Sequence, residues 1–443
     1  MSTRDHSRSP VSQRSQHGDQ RDEEVGASTP KLGGIPAFIL FCVILVAFVV
    51  QSAATQHVQT TLGFRHPFLL FYIAHSSFSI IFPIHLLYLH GTSRKPISYY
   101  LSLIKATLQY RFSSSQLGGD PSTFPTQRIA LITVLLTIGI SLPGLLWYIS
   151  VSMSSISDVT AIWNSNAFWA YILTVYILMG SNAPDGKWWT RFEAKKIIAV
   201  LMACIGVTIV VYSGVDSQRS GEDDDGSTKP TAPLAGDLLT LVASILYALV
   251  QVMYKKYIAL PNEPSEGITL ATGRVVSQSG EESPLIDEQQ VDHPLNLEAI
   301  AGGEGPLSYQ QLIDSLPFGL YPNFMTSLAG LTTLLCLWPL PILLATPESP
   351  NGDPNHASPV SIAVSIAAIA LAGLVWNSGY LVLLSIWGPV LSSVGNLLTI
   401  VLMLLVETLF MNSPFPSFFS VIGCGMIAAG FGVLVSELVR GEK

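Results

Sequence analysis

The sequence predicts an all-α polytopic membrane protein of ten transmembrane helices, arranged as two inverted five-helix repeats. Three observations predict it: the composition, the number of apolar stretches of membrane length, and the likeness of the two halves. Of 443 residues, 49% are hydrophobic and only 12% charged, with mean hydropathy +0.46, whereas soluble domains carry roughly 25% charged residues. Such a chain fits lipid as its solvent. A bilayer core about 30 Å thick needs about 20 apolar residues per helix, and ten such stretches can be traced.

Residues 1–33, rich in Ser, Arg, Gln and Asp, read as a disordered cytosolic tail. The first apolar stretch starts near Pro36, too far in and too long for a cleavable signal. The first repeat, 34–214, holds spans at 34–55, 66–90, 127–150, 157–180 and 194–214. An acidic luminal linker follows at 215–233. The second repeat, 234–437, holds spans at 234–257, 322–345, 359–386, 389–411 and 415–437, and 438–443 form a cytosolic C-terminus. Residues 91–126 make a basic, partly amphipathic connection, and the Glu-, Ser- and Pro-rich stretch 260–317 reads as a disordered cytosolic loop.

Orientation follows from the basic residues, which accumulate on the cytosolic side. With the N-terminus inside, ten spans place all but three of the 22 Lys and Arg in cytosolic segments, the exceptions being Arg65, Arg219 and Lys229. Both termini are therefore expected in the cytosol. The net charge of −8 reflects acids crowded into two loops and says little about partners.

GLLW at Gly144–Trp147 recurs as GLVW at Gly373–Trp376. Asn166 finds a mate in Asn396, and MACIG at Met202–Gly206 recurs as MIAAG at Met426–Gly430. Five spans per copy is an odd number, so the second copy crosses the membrane upside down. Transporters built this way hold substrate near the midplane, where the copies meet.

Polar groups inside spans are costly unless satisfied, so each either lines a cavity or bonds a neighbouring helix. Thr240, Ser244, Tyr247, Gln251 and Tyr254 follow one another at steps of four and three, which places them on one helical face. Tyr72, His75, Ser76 and Ser79 form a similar stripe in the second span, where the histidine is either a titrating group or a hydrogen-bonded structural one. Trp163 and Asn166 share a face of the fourth span. Trp147 and Trp376, with Tyr148, Asn377 and Tyr380 nearby, either stack on a ligand ring or cation, or sit as core or interfacial aromatics. The candidate cavity is therefore Tyr72, His75, Trp147, Trp163, Asn166, Tyr247, Gln251, Trp376, Asn377 and Asn396. Asp158 and Glu407, the acids nearest the spans, are candidates for proton or cation coupling, or simply reach headgroup water.

Gly206, Gly425, Gly430 and Gly432 read as points of close helix approach. Cys42, Cys204, Cys336 and Cys424 lie in apolar stretches and read as small hydrophobes, not as a disulfide or metal set. No GxxxxGK[ST], HExxH or CxxC motif is found, so neither ATP-driven pumping nor metalloenzyme chemistry has support. No enzyme activity, cofactor or metal is expected. The basic residues are dispersed, which argues against nucleic acid as a partner.

Ten spans in two inverted halves, with SSISDVTAIWNSNAFWAYIL at Ser154–Leu173 and KKIIAVLMACIGVTIVVYSG at Lys195–Gly214, resemble the EamA-type drug/metabolite transporter superfamily. Within it the chain resembles the solute-carrier group of nucleotide-sugar and thiamine-transporter-like proteins, notably in GDLLTLVASILYALVQVMYKKY at Gly236–Tyr257. Members often carry an acid at the end of the fourth span, where this chain has Leu178-Met179-Gly180. The resemblance implies a secondary carrier of a small metabolite in an endomembrane such as the vacuole or Golgi. Its partners would be a small-molecule substrate and membrane lipids, with a homodimer as one allowed assembly. The substrate it implies is thiamine-like or another organic solute, or alternatively a nucleotide sugar or sugar phosphate. A non-transporting membrane scaffold or sensor is the competing class. No Lys or Arg falls well inside a span, which favours a neutral or cationic substrate over an anion.

Overall fold

The computed structural model describes residues 33–64, 66–112, 124–154, 156–179, 192–219, 233–260, 312–313, 315–344, 358–410 and 417–440. The tail up to residue 32, most of the linker 215–233 and of the loop 260–317, and residues 441–443 lie outside them. Every regular element among the described residues is helical.

Helix α1 (Gly34–Gln56) runs on through a π turn at His57–Thr61. Helices α2 (Pro67–Ser76) and α3 (Ile81–Ser93) are joined by a 3₁₀ turn, and α4 (Ile97–Phe112) leads to α5 (Thr126–Met153). Then come α6 (Ile156–Asn164), α7 (Asn166–Leu173) with a π turn at Thr174–Met179, α8 (Ala194–Arg219), and α9 (Pro233–Met253) with a π turn at Tyr254–Ile258. Helices α10 (Leu320–Cys336), α11 (Pro339–Leu343), α12 (Pro359–Asn396), α13 (Leu398–Phe410) and α14 (Phe418–Arg440) complete the set.

Seven helices among the described residues are long and apolar enough to cross a membrane. They coincide with the first, second, third, fifth, sixth, eighth and tenth expected spans. A 23-residue helix such as α1 rises roughly 35 Å, enough for the hydrocarbon core. Its Ile35, Ile39, Val43, Val46 and Val50 form an exposed apolar stripe that suits lipid, while Ala37, Phe41, Ile44 and Ala47 are buried. The chain is an integral helical membrane protein.

The other three expected stretches are interrupted rather than continuous. Span 157–180 is divided into α6 and α7 at Ser165, whose hydroxyl donates to the Ile162 carbonyl, while Asn164 Nδ2 donates to the Thr160 carbonyl. Such side-chain bonds compete with the helix ladder. Span 322–345 stops at Leu337–Trp338, just before Pro339. Span 389–411 begins at a kink in α12, where Gly388 holds φ +75°, open to glycine but strained for other residues, and Pro389 supplies no donor. A second interruption at Leu397 separates α12 from α13.

The amphipathic connection forms α4, whose Tyr100, Leu103, Ile104, Thr107 and Leu108 are buried at helical spacing, while Lys95 and Lys105 are exposed. One core gathers side chains from α1, α3, α4, α5, α9, α10 and α12, a second unites α7, α8, α12, α13 and α14, and α2 packs in a smaller cluster with Tyr148 of α5.

Helices α8 and α14 cross at glycines. A Cβ on Gly206 would come within 2.6 Å of the Gly423 carbonyl oxygen, and one on Gly423 within 2.6 Å of the Gly206 carbonyl oxygen. Gly430 likewise lies against the Ala199 carbonyl oxygen, at 2.6 Å. The expectation for Gly425 and Gly432 is corrected, because a Cβ there meets nothing within 4 Å. Gly423 and Gly430 are two turns apart on the packed face, and Gly425 and Gly432 lie on another. Gly206→Leu is expected to cost about 1–3 kcal/mol through overpacking against backbone. Gly425→Leu should leave the thermal midpoint of the detergent-solubilised protein unchanged, and comparing the two melts checks both.

Candidate functional site

Aromatic residues meet where α6, α9 and α12 pack together. The Tyr247 ring centroid lies 5.1 Å from Trp163 at 27°, 6.4 Å from Trp376 at 26°, and 5.9 Å from Tyr380 at 30°. Trp376 lies 5.7 Å from Tyr380 at 32°, and Phe48 of α1 closes on Trp376 at 5.0 Å. These separations fall in the range of favourable ring pairs. Beside the rings lies a cavity of about 20 Å³, bordered by Tyr247, Gln251, Thr326, Asn377 and Tyr380 among apolar side chains. That volume admits a single water. No charged side chain lines it.

Polar groups around the rings are only partly satisfied. Trp376 Nε1 donates to Asn396 Oδ1 at 3.4 Å, and Asn377 Nδ2 donates to the Gly373 carbonyl at 2.9 Å. Ser165 of the α6–α7 junction lies 2.9 Å from Ser244 of α9, hydroxyl to hydroxyl. Trp163 Nε1, Asn166 Oδ1 and one amide atom of Gln251 are buried without a hydrogen-bond partner. Buried polar atoms are rarely left so, and each raises the question of what pairs with it.

Of the ten cavity candidates, Trp163, Tyr247, Gln251, Trp376, Asn377 and Asn396 are thus brought together. Asn166 is buried beside them at the start of α7, which packs on α9 and α12, but no hydrogen bond joins it to Asn396. The helix interruptions at Ser165 and Leu397 each follow an asparagine, Asn164 and Asn396.

Tyr72, His75 and Trp147 do not line this cavity. The Tyr72 hydroxyl donates to the Leu334 carbonyl at 3.0 Å, beside an apolar groove of about 620 Å³ formed with Phe64, His66, Trp338 and Ile342. His75 is clasped between the rings of Phe71, at 4.3 Å, and Phe78, at 4.9 Å, with Nδ1 3.2 Å from the Phe71 carbonyl oxygen. Trp147 packs on Tyr148 at 5.1 Å, in a cluster with Leu70 and Phe71. Tyr72, His75 and Ser76 share the regular helix α2, whereas Ser79 falls in the 3₁₀ turn Ser77–Ile80, whose change of register takes it off the face read at 3.6 residues per turn.

Asp158 is not at the rings. It lies in the first turn of α6 and accepts from the Tyr212 hydroxyl at 3.2 Å. Asp237 of α9 accepts from Ser154 Oγ at 2.5 Å. Sequence reasoning missed Asp237, although it extends the stripe from Thr240 to Tyr254 by one more turn. Glu407 falls within α13 at a position whose side chain lies outside the described residues. Phe48 and Ser393 were missed as well. Ser393 had a local signal, since it follows the Gly388-Pro389 pair by one turn and its hydroxyl can bond the Pro389 carbonyl.

The fold and site define a polytopic helical membrane protein with a closed aromatic and amide-lined centre. No protein-family model matches the chain, and no curated protein matches it. One solved structure, described as "Crystal structure of protein", superposes with a TM-score of 0.48 at 10% identity, over 91% of this chain and 99% of its own.

Proposed function

We propose that this protein is a secondary carrier of a small organic solute, with ten membrane crossings in two inverted five-helix halves that alternate access to a central site. The observation that carries this reading is the closed cavity, where aromatic faces and an unpaired Gln251 amide atom converge on room for a single water. A scaffold has no need of buried, unpaired polar atoms at its centre.

Several features support the inverted arrangement. The break at Ser154, before α6, and the kink at Gly388 in α12 are followed after similar intervals by the interruptions at Ser165 and Leu397. The first and sixth spans both end in π turns. The close approach of Gly206 to Gly423 is matched by that of Gly430 to Ala199, as a two-fold relation pairing Gly206 with Gly430 and Ala199 with Gly423 would produce. The broken helices of the fourth and ninth spans are tolerated because they are buried in protein, as non-helical backbone at membrane depth must be. The basic residues place both termini in the cytosol, and an endomembrane location follows from the family resemblance.

The uncharged lining favours a thiamine-like or other phosphate-free solute over a nucleotide sugar or sugar phosphate, which would call for charge-assisted donors. A ligand that binds only the folded state raises its stability, by about 2.7 kcal/mol at a hundred times Kd. Thiamine is expected to raise the thermal midpoint of the purified protein more than nucleotide sugars or sugar phosphates do. The shift should disappear in Gln251→Ala and in Asn166→Ala. A shift that survives both variants would place the ligand elsewhere.

A further inference from the structure

Gln251 is 1% exposed and lies one turn beyond Tyr247 on α9, at the wall of the cavity. Ser393 Oγ is 2.5 Å from Gln251 Oε1, 2.7 Å from the Pro389 carbonyl oxygen, and 3.5 Å from the Tyr380 hydroxyl. A serine hydroxyl has one proton, so it cannot donate fully to both oxygens. Turning the amide by 180°, a rotation about its last side-chain bond, lets Nε2 donate to Ser393 while Ser393 donates to Pro389. In either arrangement Ser393 holds one amide atom, and the other is buried without a partner. Leaving such an atom unpaired costs about 1–3 kcal/mol. The cavity beside it is therefore a place where a polar edge belongs, and it has room for one water.

The rings decide the shape of what carries that edge. Tyr247, Trp376 and Tyr380 are inclined to one another by 26–32°, so none stands edge-on to another. A cage for a rounded alkylammonium group surrounds the cation with ring faces on several sides. Rings so inclined and in contact suit a flat conjugated ring instead, which on entering can replace ring–ring contacts with ring–ligand contacts of the same kind. No charged side chain lines the cavity to receive a phosphate.

Resting on the carrier reading, we propose that the transported solute is a flat, phosphate-free heteroaromatic ring slotted along Tyr247 and Trp376. Gln251 reads the hydrogen-bonding edge of that ring and sets specificity, with Ser393 as its positioning residue.

The test uses the full chain in nanodiscs, with tryptophan fluorescence as the binding signal and four probes: adenine, unsubstituted purine, choline and uridine diphosphate glucose. Adenine is expected to bind about tenfold tighter than purine, the worth of one net hydrogen bond to the amino-bearing edge. Choline and uridine diphosphate glucose should bind more weakly than either. Gln251→Leu should weaken adenine more than purine and so remove the preference between them, and Ser393→Ala should lose part of it. Thermal melts verify that both variants are folded. Tighter binding of choline or of the nucleotide sugar than of adenine, or an adenine preference intact in Gln251→Leu, overturns the proposal. Uptake into proteoliposomes separates the two readings. Transport of choline or the nucleotide sugar without adenine discards the ring slot and keeps the carrier, whereas no uptake of any probe discards the carrier as well.

Discussion

Tyr247→Ala is expected to abolish solute uptake into proteoliposomes and to lower stability by about 3–5 kcal/mol, the usual cost of truncating a large buried aromatic side chain. Tyr247 is in ring contact with Trp163, Trp376 and Tyr380 at once, so its removal unstacks the centre and leaves a void among α6, α9 and α12. Tyr247→Phe keeps the ring and all three contacts. It should retain most of the stability and, since the stack is what a flat ligand meets, most of the transport. Denaturant or thermal unfolding of the purified variants measures the first effect, and initial uptake rates the second. Full uptake by a folded Tyr247→Ala protein would move the substrate site away from the rings.

Much of this centre was legible in the sequence because α9 is a regular helix down to Met253. The steps of four and three from Thr240 to Gln251 therefore translate directly into one face, and that face is buried: Thr240 and Ser244 are fully enclosed and Gln251 nearly so. The seven long apolar helices were legible for the same reason, since length and hydropathy decide whether a helix can span. What failed to translate lies where helices are irregular or where packing between helices decides. The 3₁₀ turn after Ser76 takes Ser79 off the second-span stripe, whereas the surroundings of Tyr72 and His75, which precede it in a regular helix, are set by the packing of α2 on α5 and α10. The partnership of Gln251 with Ser393 joins residues 142 apart in the chain, and no spacing rule reaches that far. Only the packing of α9 on α12 brings them together.

Lys256→Met is expected to open the end of the bundle at which α9 finishes. Proline has no N–H, so Pro389 leaves the Ser385 carbonyl, four residues earlier, without its helical donor. The Lys255 ammonium fills that vacancy at 2.7 Å. Its neighbour Lys256 reaches the other way, to the Ile177 carbonyl at 3.2 Å in the π turn that follows α7, where helix carbonyls also lack partners. Arg111 of α4 donates to the Lys256 carbonyl at 3.1 Å, and the Tyr321 hydroxyl of α10 to the Ile258 carbonyl at 3.0 Å. The π turn Tyr254–Ile258 thus ties α4, α10, α12 and the π turn after α7 together beneath the cavity. Of these contacts of the π turn, those of Lys256 and Arg111 cross between the two halves on the carrier reading, so an opening motion at this end has to break them. A hydrogen bond from a charged group contributes about 1.5–3 kcal/mol, so removing the Lys256 ammonium should raise the open population about tenfold or more. In a protein freed of its four native cysteines, a Thr326→Cys probe in the cavity wall should react with a water-soluble thiol reagent about tenfold faster when Lys256→Met is added. Lys195→Met provides the control, because Lys195 is 69% exposed and its pairing with Glu437 is a surface contact worth little. Equal labelling rates in the Lys256 and Lys195 variants would show that the lysine contact is packing at a helix end and not a gate.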